Sequence, residues 1–331
     1  MKAIITTDST RPHDLFVQSA PSSPPCRVRS GTEGMEAQMN QLVVVAGASG
    51  YVGRHVVEAL DRCGYRVRAL VRSREQAEAP GTFGAPALKG HVAEWRIVNY
   101  LDPATLQGAC DGAERVVSAL GVTRQNASPW DVDFLGNLRL LEEAERQGLA
   151  SFLYVNVLHS ASGTSVTLRS KNAFAEVLRR STVAGQIVNP SGYFSDITDF
   201  LLLAQKGIGF TLGDGSSRLN PIHGADLAEF IVGHLDGPTA SWDIGGPEIF
   251  TYRELESLAF RIAGRRQRIL PVRPGALRPL QWAADRFSPR AANLTRFFLE
   301  SLQLDAVGTP VGHRRLEPYL RALPAARRGS R

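Results

Sequence analysis

Leu42-Val43-Val44-Val45-Ala46-Gly47-Ala48-Ser49-Gly50-Tyr51-Val52-Gly53 is the stretch on which the reading of this chain turns. Its first five residues form an unbroken apolar run rich in β-branched side chains, the pattern of a strand buried on both faces. From Tyr51 to Cys63, Val52, Val56, Val57 and Leu60 recur at helical spacing. A glycine triplet alone carries little weight, but between a buried strand and an amphipathic helix it has the context of a phosphate-binding turn. One glycine permits the tight turn, the next lets backbone approach a diphosphate, and Gly53 allows close helix–strand packing. The amides of Ser49, Gly50, Tyr51 and Val52 are then expected to face the anion, supported by the helix dipole.

The same alternation continues downstream. Strands are predicted at Tyr65–Val71, Trp95–Val98, Arg115–Leu120, Phe152–Val157 and Gly185–Val188, and helices near 103–110, 131–147 and 172–180. This order predicts an α/β fold, a Rossmann doubly wound parallel sheet with right-handed crossovers. After Asn189-Pro190 the pattern loosens into helical segments near 196–206, 225–235, 252–263 and 291–303, read as a small C-terminal substrate lobe. The expected organisation is a disordered leader over 1–40, a dinucleotide-binding domain over 41–190, C-terminal strands and the lobe over 191–322, and a basic tail over 323–331. The leader is rich in Ser, Pro, Thr, Arg and Gly, and offers little apolar area to offset the entropy of ordering.

Bulk properties narrow the function. A hydrophobic content of 43% with 21% charged residues fits a globular protein, and no apolar run reaches membrane-spanning length. The net charge of +6 is concentrated in the last residues, including Arg327, Arg328 and Arg331, as a solvated basic tail. Nucleic acid is therefore not an expected partner, and weak peripheral membrane contact is the most this tail suggests. Cys26, Cys63 and Cys110 show no CxxC or Cys/His spacing, so no metal site is expected. The scattered cysteines and the lack of a secretory signal point to the cytoplasm.

The end of the second strand selects the cofactor. An acid there would hold ribose hydroxyls and favour NADH, whereas arginine accommodates a 2′-phosphate. Here the chain reads Leu70-Val71-Arg72-Ser73-Arg74, with no acid before Glu75. Arg72 is the expected phosphate clamp with Ser73 and Arg74 beside it, which favours NADPH, with NADH as the alternative.

Together, Gly47 to Gly53, Val117-Ser118-Ala119-Leu120-Gly121, Asp131 to Asn137, Ser170-Lys171, Asn189 to Phe194 and Asn220 to Ala228 carry a resemblance. From about Gln41 to Tyr319 the chain resembles the extended, atypical short-chain dehydrogenase/reductases, most closely the NmrA-like branch. That branch includes divinyl chlorophyllide 8-vinyl reductases, isoflavone-reductase-like enzymes and accessory subunits of respiratory complex I. The resemblance implies that Ser118 and Gly121 pass beneath the nicotinamide half of the cofactor, that Lys171 binds its ribose, and that Pro190 and Tyr193 adjoin the carboxamide.

The resemblance also exposes a departure. Typical members place a tyrosine four residues before that lysine and a serine after the fifth strand, whereas this chain has Thr167 and Asn156. A threonine hydroxyl is too weak an acid to replace a lysine-assisted phenol. The remaining catalytic candidates are Lys171, if desolvation lowers its pKa, Tyr193, His159, and Asn156 as a group that orients a carbonyl. The function implied is an NAD(P)H-dependent reductase transferring hydride to a small hydrophobic substrate, a conjugated carbonyl, a quinone-like ring or an activated C=C bond. The alternative is a non-catalytic NADP(H)-binding redox sensor or assembly factor. Other residues receive structural readings. Asp226 is expected to cap the helix near Leu227 with His223 packed beside it. Asp131 and Asp133 are expected to favour a helix start, Asn137 to make an internal hydrogen bond, and Phe297-Phe298 with Leu299 and Leu302 to cover a core face.

Overall fold

A computed structural model describes residues 41–122, 127–277 and 289–323, together with positions 282 and 286. The leader expected over 1–40 and the basic tail beyond 323 lie outside the described residues. In chain order the elements that matter are β1 (Leu42–Ala46), α1 (Tyr51–Arg62), β2 (Arg66–Val71), α2 (Arg74–Glu78), β3 (Glu94–Ile97), β4 (Arg115–Ser118), α3 (Asn137–Arg146) and β5 (Ser151–Val155). They continue with α4 (Val166–Leu178), β6 (Ala184–Pro190), α5 (Phe194–Gln205), β7 (Gly209–Leu212), β8 (Arg218–Leu219), α6 (Gly224–His234) and β9 (Ala240–Gly245). The last are β10 (Phe250–Thr251), α7 (Tyr252–Ala263), β11 (Ile269–Val272), α8 (Pro289–Ser301), β12 (Thr309–Pro310) and α9 (Leu316–Ala322).

Eight strands form one parallel sheet in the order β12-β9-β6-β5-β4-β1-β2-β3. The order reverses between β1 and β4, the switch point where ligands of doubly wound sheets bind. All five residues of β1 are buried because the sheet is covered twice. Val43 and Val45 face a core shared with α1 and α6, whereas Val44 and Ala46 face one built from Leu140 and Leu141 of α3 and Phe174 and Leu178 of α4. A third core joins Phe194, Ile197 and Leu201 of α5 to Leu255 and Leu258 of α7 and Leu316 and Leu320 of α9. No helix among the described residues is long and apolar enough to cross a membrane.

Several local expectations shift. The helix expected near 103–110 is a single 3₁₀ turn at Pro103–Leu106, opened by the Asp102 side chain. The segment expected as one helix over 131–147 starts as a π-helix, Trp130–Gly136, before α3. The helix predicted at 172–180 begins six residues earlier, at Val166, because Ser165 caps it by accepting from the Leu168 amide. In the C-terminal half, β9 extends the central sheet beyond β6 and turns Trp242 and Ile244 inward. Phe298 is exposed and Phe297 and Leu299 are half-buried, so this pair leaves much of its surface open instead of closing a core face.

Candidate functional site

The turn after β1 has no room for side chains where its glycines stand. Gly47 has φ +70°, and a Cβ there would lie 2.7 Å from the Ala119 carbonyl oxygen at the end of β4. A Cβ on Gly53 would lie 2.1 Å from the Gly47 carbonyl oxygen. The Gly50 amide closes the turn by donating to that same oxygen at 2.9 Å, so, against expectation, it is spent within the turn and not offered to the anion. Gly50 caps α1 without a side-chain hydrogen bond, and the first turn carries no acid. The helix start therefore keeps its positive end open to an anion. Tyr51 and Val52 complete the turn; Val52 is buried, and the Tyr51 hydroxyl accepts from the Gly224 amide at 3.1 Å. Burial pushes the Tyr51 phenol well above its ordinary range, so it stays neutral.

Just past β2, where the adenosine end was expected, the three predicted residues divide. Ser73 caps α2 by accepting from the Gln76 amide. Arg74 pairs with Glu78 at 2.8 Å and lies 5.5 Å from the centre of the Trp95 ring. Arg72 is exposed and makes no ion pair among the described residues, which leaves its guanidinium free for a phosphate. Tyr100, which sequence reasoning missed, feels the Arg72 charge and accepts from the Gly47 amide at 3.2 Å. It ties the end of β3 to the glycine turn. Arg72→Ala is expected to weaken NADPH binding by roughly 10-fold or more while leaving NADH nearly unchanged, because only the 2′-phosphate is lost to it. Calorimetric titration with both cofactors checks this, and equal losses would reject the assignment.

At the other end, buried polar groups form a chain. Ser118 donates to Asn137 Oδ1 at 2.5 Å, and Asn137 Nδ2 donates to the Asp133 carbonyl at 2.8 Å, the internal hydrogen bonding expected of Asn137. Asp133 Oδ2 accepts from the Val122 amide, and its Oδ1 pairs with Lys171 Nζ at 2.9 Å. A Cβ on Gly121 would meet Lys171 Nζ at 3.1 Å and Asp133 Oδ1 at 3.2 Å, so the backbone passes close over this pair and a side chain there would press on it. Asp133 is thus more than a favourable charge at a helix start: the π-helix turns its side chain inward, fully buried, against Lys171.

Lys171 does not meet the condition set for it as a proton donor. Burial is the strongest single influence and would lower its pKa, but the adjoining Asp133 carboxylate together with Tyr154 and Tyr193 raises it overall and holds it as the ammonium. Lys171 Nζ also lies 5.4 Å from the centre of the Tyr154 ring. Tyr193, at the start of α5, lies within reach of this charge; burial keeps its phenol protonated, with Lys171 pulling the other way. Its ring centre is 6.3 Å from that of Tyr51. Pro190 ends β6, is buried, and accepts from the Leu158 amide. Lys171, Gly121, Ser118 and Tyr193 therefore belong to one constellation, built from α4, the turn after β4 and the turn after β6.

Two catalytic candidates are committed elsewhere. Asn156 donates to Ser160 Oγ and to Asn189 Oδ1, both at 2.8 Å, so its amide hydrogens are not available to orient a substrate carbonyl. His159 is exposed in a left-handed conformation, φ +62°, with Nε2 2.8 Å from the Asp305 carbonyl oxygen, where it tethers the segment before β12. Thr167 is buried, and Asn293 of α8 donates to its hydroxyl at 2.9 Å. Glu300 of the same helix accepts from the Thr164 and Ser165 amides, so α8 docks on the start of α4.

The C-terminal half corrects two further readings. His223, not Asp226, caps α6, its Nδ1 accepting from the Ala225 amide. Asp226 is buried and accepts from the His313 and Arg314 amides, anchoring the strap before α9. Asp226, Glu229 and His313 converge, but the Arg314 guanidinium pairs with both carboxylates and stands where a cation would.

Residues 47–238 match a family model described as NAD(P)H-binding. The chloroplastic divinyl chlorophyllide a 8-vinyl-reductase of Zea mays is 28% identical over 262 residues, covering 73% of this chain and 64% of the relative. Subunit 9 of the NADH dehydrogenase (ubiquinone) 1 alpha subcomplex, mitochondrial, of Arabidopsis thaliana is 26% identical, covering 70% of this chain and 60% of the relative. The chain thus spans less than two thirds of the length of either. A solved NADPH-dependent quinone oxidoreductase from Escherichia coli, complexed with NADPH, superposes with a TM-score of 0.61 at 17% identity. That match covers 84% of this chain and 98% of the other, and shows a shared fold.

Proposed function

The chain belongs to the NAD(P)H-binding family, and on that premise we propose that it is an NADPH-dependent reductase of the atypical short-chain dehydrogenase/reductase type, acting on a hydrophobic conjugated acceptor. The observation that carries this reading is the buried Lys171–Asp133 pair beneath Gly121, with the Tyr193 phenol in the field of the lysine. The uncapped start of α1 and the glycines whose Cβ positions are filled by backbone fit the diphosphate of the cofactor.

When bound, the reduced nicotinamide supplies a hydride. The protein must then bind the acceptor, hold back water and provide one proton. Asp133 keeps Lys171 cationic, and that fixed charge stabilises negative charge developing on an acceptor oxygen or a delocalised carbanion. Tyr193 stays protonated at neutral pH, as a general acid must, and donates its phenolic proton to that atom while the Lys171 charge stabilises the phenolate left behind. A conjugated acceptor suits this arrangement, because delocalisation lessens the demand on a phenol that burial makes a weak acid. The adjacent rings of Tyr51 and Tyr193 favour a flat apolar substrate.

Tyr193→Phe is expected to lower kcat by about 100-fold or more while changing the NADPH dissociation constant little, since it removes one proton and no cofactor contact by charge. Stopped-flow NADPH oxidation with quinones, enones and vinyl-porphyrins reads this. A wild-type protein that binds NADPH but oxidises it with none of them would overturn the enzymatic reading. That outcome would favour a cofactor-gated sensor or assembly factor, for which the satisfied Thr167 hydroxyl and the spent Asn156 amide are the supporting observations.

A further inference from the structure

Arg54, one residue past the last glycine of the turn, is 4% exposed although it carries a guanidinium. Its Nε donates to the Ser49 carbonyl at 2.9 Å, inside the diphosphate turn. Its Nη1 donates to the carbonyls of Ala77, Ala79 and Pro86 at 3.0, 2.7 and 2.8 Å, and its Nη2 to that of Gln76 at 2.9 Å. These four carbonyls belong to the segment that follows Arg72, Ser73 and Arg74. No carboxylate of the described residues pairs with Arg54, so its charge is balanced by backbone dipoles alone. Gly81 makes room for it: a Cβ there would lie 2.7 Å from Arg54 Cδ and 2.8 Å from Nε.

We infer that Arg54 is a specificity-determining positioning residue, which latches the 72–86 loop to the glycine turn and so fixes Arg72 at the distance separating a diphosphate from a 2′-phosphate. The inference rests on the NADPH reading given above. The 74–86 segment carries only one five-residue helix and a 3₁₀ turn, so its own hydrogen bonds do little to define its position. Burying a cation without a counter-charge is costly, and here all three guanidinium nitrogens offset it by donating to carbonyls, Nη1 sharing its two hydrogens among three of them. The carbonyls converge from the glycine turn and from the loop that follows Arg72, which on the NADPH reading would hold the diphosphate and the 2′-phosphate, so the latch would set the separation of those two contacts. Its unneutralised charge also favours a cofactor with more negative charge.

Arg54→Lys keeps the charge but presents one ammonium, which cannot serve Ser49 and the loop together. Gly81→Ala attacks the same latch from the loop side and leaves Arg54 itself in place. Calorimetric dissociation constants for NADPH, NADH and 2′,5′-ADP, with circular dichroism melts on the same samples, test the inference. The NADPH-over-NADH preference is expected to fall roughly 10-fold in both variants, with 2′,5′-ADP weakened in parallel and NADH within about threefold of wild type. A merely structural role would lower the melting temperature and scale both cofactors alike. Should Arg54→Lys not fold, Gly81→Ala gives the same reading. A preference that survives in the folded variants overturns the role of Arg54 and leaves the NADPH reading intact. A wild type with no preference overturns both.

Discussion

Gly53→Ala is expected to abolish useful dinucleotide binding, lowering affinity for NADPH and NADH alike by about 100-fold or more. The new Cβ would stand 2.1 Å from the Gly47 carbonyl oxygen, 2.8 Å from its carbonyl carbon and 2.9 Å from the Ala48 Cα. All three are backbone atoms, so no side chain can swing aside. The turn must open instead, carrying the amides at the start of α1 away from the diphosphate. Hydrogen bonds to a charged acceptor are worth about 1.5–3 kcal/mol each, and losing the alignment of one or two accounts for the factor. Because the diphosphate is common to both cofactors, their affinities should fall by the same ratio, in contrast to Arg72→Ala. Calorimetry on a folded Gly53→Ala protein that still binds either cofactor within about threefold of wild type would show that the phosphates sit elsewhere.

Lys171→Met carries the largest expected cost in stability. It leaves the fully buried Asp133 carboxylate facing an apolar side chain, with the Val122 amide as its remaining hydrogen-bond donor. Breaking a buried pair from one side costs about 3–5 kcal/mol. Asp133→Asn combined with Lys171→Met removes the stranded charge and should recover most of that loss without restoring turnover. The pH dependence has a definite sign. Burial raises the Asp133 carboxyl above its ordinary range, so in the single variant the folded state holds its proton to higher pH than the unfolded chain does. Stability then falls as pH rises through that window and is regained on acidification. The deficit relative to wild type should therefore shrink from pH 7 towards pH 5 in urea denaturation. A double variant no more stable than the single one would mean that Lys171 acts through packing and not as a counter-charge.

Strand β1, the glycine turn and α1 were legible in the sequence because their causes are local. An apolar β-branched run, glycines at fixed offsets and a helical repeat all act within a dozen residues. The parallel alternation up to β6 was legible for the same reason, as was the place of Arg72 just past β2, since the end of that strand follows from its own pattern. Elements with weak local signals were not: β8, β10 and β12 are two residues each and exist only as partners of other strands. The start of α4 was hidden in a Ser/Thr-rich stretch, and it is defined by the Ser165 cap and by Glu300 from α8.

The chemistry around Lys171 was decided by the tertiary structure. Whether Lys171 loses or keeps its proton depends on the π-helix turning Asp133 towards it, a contact that no spacing along the chain encodes. The same holds for the hydroxyl of Thr167, satisfied by Asn293, and for Arg54, on which the sequence reading was silent and around which five carbonyls from two segments close. Backbone conformation and periodicity are set by near neighbours, so the dinucleotide fold was written into the order of residues. Protonation and positioning are set by whichever distant groups share a buried volume, and packing chose those groups.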